Sequence, residues 1–401
     1  MTDDLLHLAV ALDGTGWHPA AWREPDARPR DLFTAAYWAE QVLEAEHGLL
    51  DFVTVEDSLA LQSDRFDTPD ERTDQVRGRL DAVLIAARIA PLTRRIGLVP
   101  TATVTHTEPF HVSTAIATLD YVSTGRAGWR AQIARPAENA HFGRREPTPF
   151  RIEDLAEPSV QATIADFFDE AADAVEVVRR LWDSWEDDAE IRDAATGRFV
   201  DRDKLHYVDF DGRWFSVQGP SITPRPPQGQ PVITALAHAT VPYRFAARSA
   251  DLVHVTPRDA ADAATIVQEI RSEQDAAGRA DEPVHVFGDL VVHLADSPAE
   301  ASARKARLDD RAGVEPTSDA VTFTGTAAQL ADTLLDWRSA GLSGFRLRPA
   351  TVPHDLQEIT RALVPELQRR GVFRTGYEAS TLRGLLGLPR PANRYEGASA
   401  P

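Results

Sequence analysis

The 401-residue sequence contains no cysteine. Disulfides, thiolate metal sites and cysteine nucleophiles are therefore excluded. It has no surplus of positive charge; the formal net charge is −19. That balance argues against a nucleic-acid or anionic-membrane surface, because both need clustered cations. No window reaches the apolar length of a membrane span. The N-terminal MTDDLLHLAV is acidic and its apolar run is short, so it does not read as a secretory signal. A soluble cytoplasmic protein is the expectation. No GxGxxG follows the first apolar segment, and GxxxxGK[ST] and GxSxG are missing. Rossmann, P-loop and nucleophile-elbow readings thus lack support. The histidines are scattered without HExxH-like spacing, so no metal is expected. No internal repeat beyond the strand–helix period and no low-complexity segment is present.

What is present is alternation. Residues 95–130 read RIGLVPTATVTHTEPFHVSTAIATLDYVSTGRAGWR. The first part is apolar and β-branched, as in a buried strand. After Pro109, apolar side chains at Val112, Ala115, Ile116 and Leu119 form a helical stripe. STGR is a turn, and AGW opens the next strand. The pattern recurs along the chain. Strands are predicted at LLHLAVALDG, GLLDFVTVED, RIGLVPTATVT, RAGWRAQIA, PVITALA, ADLVHVTP, VHVFGDLVVHLA and GFRLRP. Helices are predicted around 32–47 (with Asp31 as N-cap), 80–91, 163–187, 243–249, 260–277, 298–308 and 327–340. Eight buried strands alternating with helices argue for an α/β fold with an all-parallel sheet, and eight repeats favour a closed (β/α)8 barrel. The expected organisation is one domain over 1–390, with insertions near 135–162 and 191–230 and a disordered tail over 391–401.

In such a barrel the site lies at the C-terminal strand ends. Asp57 ends the second strand, next to Glu56. It either holds a ring or ribityl hydroxyl or is a helix N-cap or loop carboxylate. Thr101, Thr103 and Thr105 alternate along the third strand and share a face. They either hydrogen-bond a cofactor edge or serve as β-branched filler. His106, two residues before Glu108, is a proton shuttle or a loop histidine bonded to backbone. His18, His141 and His238 also fall near strand ends. Trp17, Trp22 and Trp129 either wall a pocket for a flat ring or pack in the core. Arg144 and Arg145 could meet an anion or stay solvated.

Several stretches, taken in order, resemble the nitrilotriacetate monooxygenase-type branch of the bacterial luciferase-like flavin monooxygenases. That branch includes dibenzothiophene-sulfone and pristinamycin-type enzymes. The stretches are HPAAWR, TRRIGLVPTATVTHTEPFHVSTAIATLDYVSTGRAGW, VEVVRRLWDSWEDDA, KLHYVDFDGRWFSVQGP, PPQGQPVI and VPELQRRGVFRTGYEASTLRGLLGLPRP. The resemblance implies a (β/α)8 barrel with insertions. It also implies reduced FMN from a separate reductase, dioxygen as co-substrate, a small organic substrate, and a homodimer or larger assembly. It places the family's strand-two acid on Asp57 and its strand-three hydroxyl on Thr103. His106 becomes the candidate for proton transfer.

The sequence also departs from the family. Arg130 stands where relatives carry Asn. Ile164 and Phe168 stand where relatives carry His and Tyr against the flavin. The phosphate turn Gln-Ala-Gly-Ser-Ser becomes Thr234, Ala235, Leu236, Ala237 and His238. That turn loses a glycine that lets backbone approach phosphate, and a serine donor. Three readings follow. FMN is still bound, with Arg130 or His238 supplying phosphate contacts; or a deazaflavin takes its place; or the site is degenerate and the chain is a non-catalytic partner subunit. The first is preferred because the pocket-bearing strands are intact.

Overall fold

Eight parallel strands close on themselves. They are β1 (His7–Leu12), β2 (Phe52–Val55), β3 (Gly97–Thr103), β4 (Gly128–Gln132), β5 (Val232–Ala237), β6 (Leu252–Val255), β7 (His285–Leu294) and β8 (Gly344–Pro349). Each pairs with its neighbour in sequence, and β8 pairs with β1. This is the predicted (β/α)8 barrel, seen in a computed structural model that describes residues 5–63, 65, 67–139, 141, 142 and 151–396. Arg144 and Arg145 lie outside the described residues.

A further strand, Val321–Gly325, pairs with the C-terminal half of β7. It was not foreseen, because VTFTG is mostly half-buried and lacks a continuous apolar run. The region 191–230 holds a hairpin, in which Phe210–Asp211 pairs with Ser216–Val217. A second antiparallel pair joins Glu190–Asp193 to Arg198–Val200.

The flanking helices are α1 (Ala35–His47), α2 (Ala82–Ile89), α3 (Pro109–Ser123), α4 (Pro158–Asp183), α5 (Thr240–Ser249), α6 (Ala260–Ala276), α7 (Pro298–Ala312) and α8 (Ala327–Ser339). The cap of α1 is Thr34, whose hydroxyl accepts from the Tyr37 N–H at 3.3 Å. Asp31 instead ends a 3-10 turn. On α3, Val112, Ile116 and Leu119 of the predicted stripe are buried and Ala115 is half-buried. Helix α4 begins earlier than predicted, because Pro158 fits the first helical position, where an amide is not needed.

Side chains alternate inward and outward along each strand. The inward residues nearest the strand starts are apolar: Ala9, Phe52, Val99, Val232, Leu252 and Phe287 pack with Leu382, Leu386 and Leu388. The chain's C-terminal region thus plugs the barrel from below. A Cβ on Gly97 would lie 2.6 Å from the Leu382 side chain and 2.9 Å from Cβ of Phe52, so a larger residue would force this packing to shift. Residues 391–396, expected to fray, are docked instead. Asn393 is buried and donates to the Asp183 and Trp185 carbonyls at 2.9 Å each. The remainder of that tail lies outside the described residues. Among the described residues no helix is long and apolar enough to cross a membrane.

Candidate active site at the C-terminal mouth of the barrel

Above its apolar floor the barrel interior becomes charged. Arg346 and Arg348 sit two apart on β8, so both face inward while Phe345 and Leu347 face the helices. Asp289 of β7 lies between them. Arg346 donates from Nε to Oδ1 at 3.0 Å, and its Nη2 also bonds Oδ2. Arg348 donates to Asp289 Oδ2 from Nε at 2.9 Å and from Nη2 at 2.6 Å. Arg130 of β4 donates to Glu56 Oε2 at 2.6 Å and to Gln132 Oε1 at 2.8 Å. Arg346 reaches the other oxygen of Glu56 at 3.3 Å and thereby joins the two groups.

All five charged side chains are buried. Burial pushes both carboxyls up, but the arginines outweigh it and hold Glu56 and Asp289 below their ordinary values. His254, fully buried in the same layer, is driven well below its ordinary value by burial and then by Arg346, Arg130 and Arg348. It is neutral. Its two ring nitrogens, the hydroxyls of Thr101 and Thr234, and Nε of Arg130 have no hydrogen-bond partner among the described residues. Buried polar atoms rarely stay unpaired, so the lumen is built to receive polar partners from solvent or a ligand.

At the rim, Trp17 lies over Arg348, with the guanidinium carbon 4.6 Å from the ring centroid. Gly16 makes this possible. Its φ is +126°, and a Cβ there would come within 2.4 Å of the Ala350 carbonyl oxygen. The loop can therefore lie flat on the end of β8, and the Trp17 N–H donates to the Pro349 carbonyl at 2.9 Å. This loop bounds a cleft of about 490 Å³, shared with Asp13, His18, Arg72, Arg79, Arg135 and Glu315. His18 accepts from the Ala20 N–H at its Nδ1, so Nε2 carries the proton toward Asp309, 3.0 Å away.

The predicted residues divide. Thr103 is buried on the inward face of β3, beside Gln132 in register, and its hydroxyl makes no hydrogen bond among the described residues. Arg130 lies in the lumen as described. Asp57 is half-buried and accepts from the Ser58 and Ala82 N–H groups at 2.7 and 2.9 Å. It receives the first amide of α2, whose N-cap is Asp81, and so behaves as the loop carboxylate. Of the two acids at this strand end, Glu56 rather than Asp57 meets Arg130. His106 faces a different cavity, of about 500 Å³, lined also by Phe142, Glu170, Trp214 and Phe215. Its Nε2 lies 2.7 Å from Asn139 Oδ1 and its ring stacks on Phe142 at 4.3 Å. His238 stands exposed at the end of β5, between Thr256 and Asp319. Trp129 is core and Trp22 pins a loop by donating to the Asp74 carbonyl, so only Trp17 of the three tryptophans lines the cleft.

Asp289, Arg346, Arg348, His254 and Asp319 were not anticipated. A signal existed in GFRLRP, where two arginines alternate with apolar residues inside a buried strand. Among the described residues no group of three His, Asp or Glu could hold a metal ion.

Comparison with known proteins shows the family. Residues 15–340 match the model of the luciferase-like monooxygenases. The chain is 30% identical to N-acetyl-S-(2-succino)cysteine monooxygenase of Bacillus subtilis (strain 168), over 97% of this chain and 98% of that one. It is equally 30% identical to nitrilotriacetate monooxygenase component A of Aminobacter aminovorans, over 97% of each. The solved EDTA monooxygenase of Chelativorans sp. BNC1 superposes with a TM-score of 0.81 at 23% identity, covering 96% of this chain and 99% of that one.

Proposed function

The chain belongs to the luciferase-like monooxygenase family, and from that premise we propose that it is the oxygenase of a two-component system. Reduced FMN would come from a separate reductase, and dioxygen would be the co-substrate for oxygenation of a small organic molecule. The observation that carries the reading is the set of buried polar atoms in the barrel lumen without a hydrogen-bond partner among the described residues, the Thr101 and Thr234 hydroxyls, the His254 ring nitrogens and Nε of Arg130.

The donor set suits the ring end of a flavin. Thr103 can bond a polar ring edge, and Arg130 is locked in place by Glu56 and Gln132, so its charge is preorganised. Trp17 walls the adjoining cleft. The phosphate end is sparser, with His238 as the donor on the turn after β5. When bound, reduced flavin supplies the electrons that activate dioxygen; the protein's part is to bind, orient and exclude water. The hairpin within 191–230, whose Trp214 and Phe215 line the cavity of His106, would cover that side of the site. His106 donates from Nε2 to Asn139, which leaves Nδ1 as a proton acceptor, but it opens on the second cavity, so it would serve proton transfer only for a substrate bound there. A homodimer or tetramer fits the exposed Leu84 and Leu92 side chains near α2.

A second reading, a non-catalytic partner subunit, draws on one observation. Phe168 packs on Phe245 with centroids 5.6 Å apart, closing with two rings a position where the family resemblance implies a flavin contact.

A turnover experiment separates the two. The chain is combined with a flavin reductase, reduced nicotinamide, FMN and isotopically heavy dioxygen, and offered a panel of small thioethers, amines and carboxylates. The expected product carries one heavy oxygen atom and forms only when reductase and FMN are both present. Flavin oxidation without any heavy-oxygen product across the panel would favour the non-catalytic reading.

A further inference from the structure

The charges inside the barrel do not balance without the rim. Arg130, Arg346 and Arg348 are buried with only two buried carboxylates, Glu56 and Asp289. The third counter-ion is Asp319. It receives Nη1 of Arg348 at 2.6 Å and Nη2 at 3.1 Å, in a two-point grip. Asp319 differs from the others. Its side chain is 42% exposed, and it comes from the irregular segment between α7 and the strand Val321–Gly325, not from a barrel strand.

On its other side stands His238, whose Nε2 is 3.5 Å from Asp319 Oδ2. Its Nδ1 lies 2.9 Å from the Thr256 hydroxyl. With that hydroxyl donating, Nε2 carries the proton and faces the carboxylate. Behind Asp319 lies a cavity of about 180 Å³, lined by Trp17, His18, His293, Lys305, Asp319 and Thr322 among others. The carboxylate therefore has space to leave, and an incoming group has space to enter.

We propose that Arg348 and His238 form an oxyanion seat at the barrel mouth, held in this structure by the chain's own Asp319 and claimed by an anionic group of a bound ligand. The chemistry is that of a phosphomonoester or a carboxylate. The first would be the flavin's own phosphate, which would explain how the turn after β5 dispenses with its usual donors. The second would belong to the substrate. This deepens the functional reading and rests on it only for the flavin source. The arginine is preorganised for such a group, because Asp289 fixes its inner edge and Trp17 covers its face.

The test compares the full-length chain with Asp319→Asn and Asp319→Ala. Calorimetric titration uses FMN, riboflavin, inorganic phosphate and malonate. Removing the internal competitor and one like charge is expected to tighten anion binding by about tenfold or more. Tighter FMN and phosphate with unchanged riboflavin identifies the phosphate source; tighter malonate alone identifies a substrate carboxylate. Unchanged or weaker binding of every anion by the folded variants overturns the seat. If neither variant folds, hydrogen exchange of residues 313–320 in the parent chain decides. Faster exchange on saturation with phosphate or malonate supports displacement of Asp319, and no change overturns it. FMN binding by the parent chain is a separate matter. Its absence alongside tighter malonate binding by Asp319→Asn would sink the flavin reading and leave the seat intact.

Discussion

Asp289→Asn is expected to destabilise the folded chain by about 3–5 kcal/mol at neutral pH, the cost of breaking a buried ion pair from one side. Asparagine preserves shape and an acceptor but removes the charge that compensates both Arg346 and Arg348. Those guanidiniums are buried and on strands, so they cannot turn to water. The effect has a pH signature. The folded-state pKa of Asp289 is depressed, because its two arginines outweigh the burial that would raise it. Its contribution is therefore fully present above the unfolded carboxyl value of about 4, and fades as pH falls through the lower folded value. Urea unfolding of both proteins across the acid range should show a gap that is largest at neutrality and narrows in acid. A gap of a few tenths of a kcal/mol at neutrality would mean that the network is not holding the lumen together.

Arg130→Asn restores the residue found in the resembled family, yet it is expected to cost about 3 kcal/mol here. Glu56 loses its closest partner and keeps only the longer bond to Arg346 and a 3.3 Å contact with Thr54. Burial, which already opposes its ionisation, then weighs more, and the Glu56 pKa climbs. Protonation relieves the stranded charge, so the variant should lose least relative to the parent in mild acid and most at neutral pH. Unfolding midpoints measured at both conditions check this. A double variant, Arg130→Asn with Glu56→Gln, should recover much of the loss, because both members of the pair are then neutral. No recovery would show that Arg130 acts through packing rather than charge.

The barrel was legible because its evidence is periodic. All eight barrel strands carry β-branched or apolar runs, and the helices between them show stripes such as Val112, Ile116 and Leu119. Boundaries were less legible where caps compete. Asp31 and Thr34 are both good caps, and only the backbone decides that Thr34 takes the role. The site was half legible. Thr103 was reachable from strand position, Arg130 from its departure from the resembled family, and Trp17 from the loop after β1. Glu56 was passed over for Asp57, although alternation from Phe52 and Thr54 puts Glu56 on the inward face. Asp289 and Asp319 were beyond reach for a different reason. Their partners are 57 and 29 residues away from them, on β8, and no local pattern encodes which strands face one another. Closure of the barrel supplies that information.

The proposed role of the barrel mouth is to receive a reduced flavin. Its most direct measurement is an anaerobic titration of the protein with chemically reduced FMN, followed by tryptophan fluorescence, alongside oxidised FMN and a Thr103→Val variant. Saturable binding of reduced FMN in the micromolar range is predicted. Thr103→Val should weaken it by about three- to tenfold, the loss of one hydrogen bond. No saturation by reduced or oxidised FMN at high micromolar concentration, in protein shown to be folded, would contradict the account.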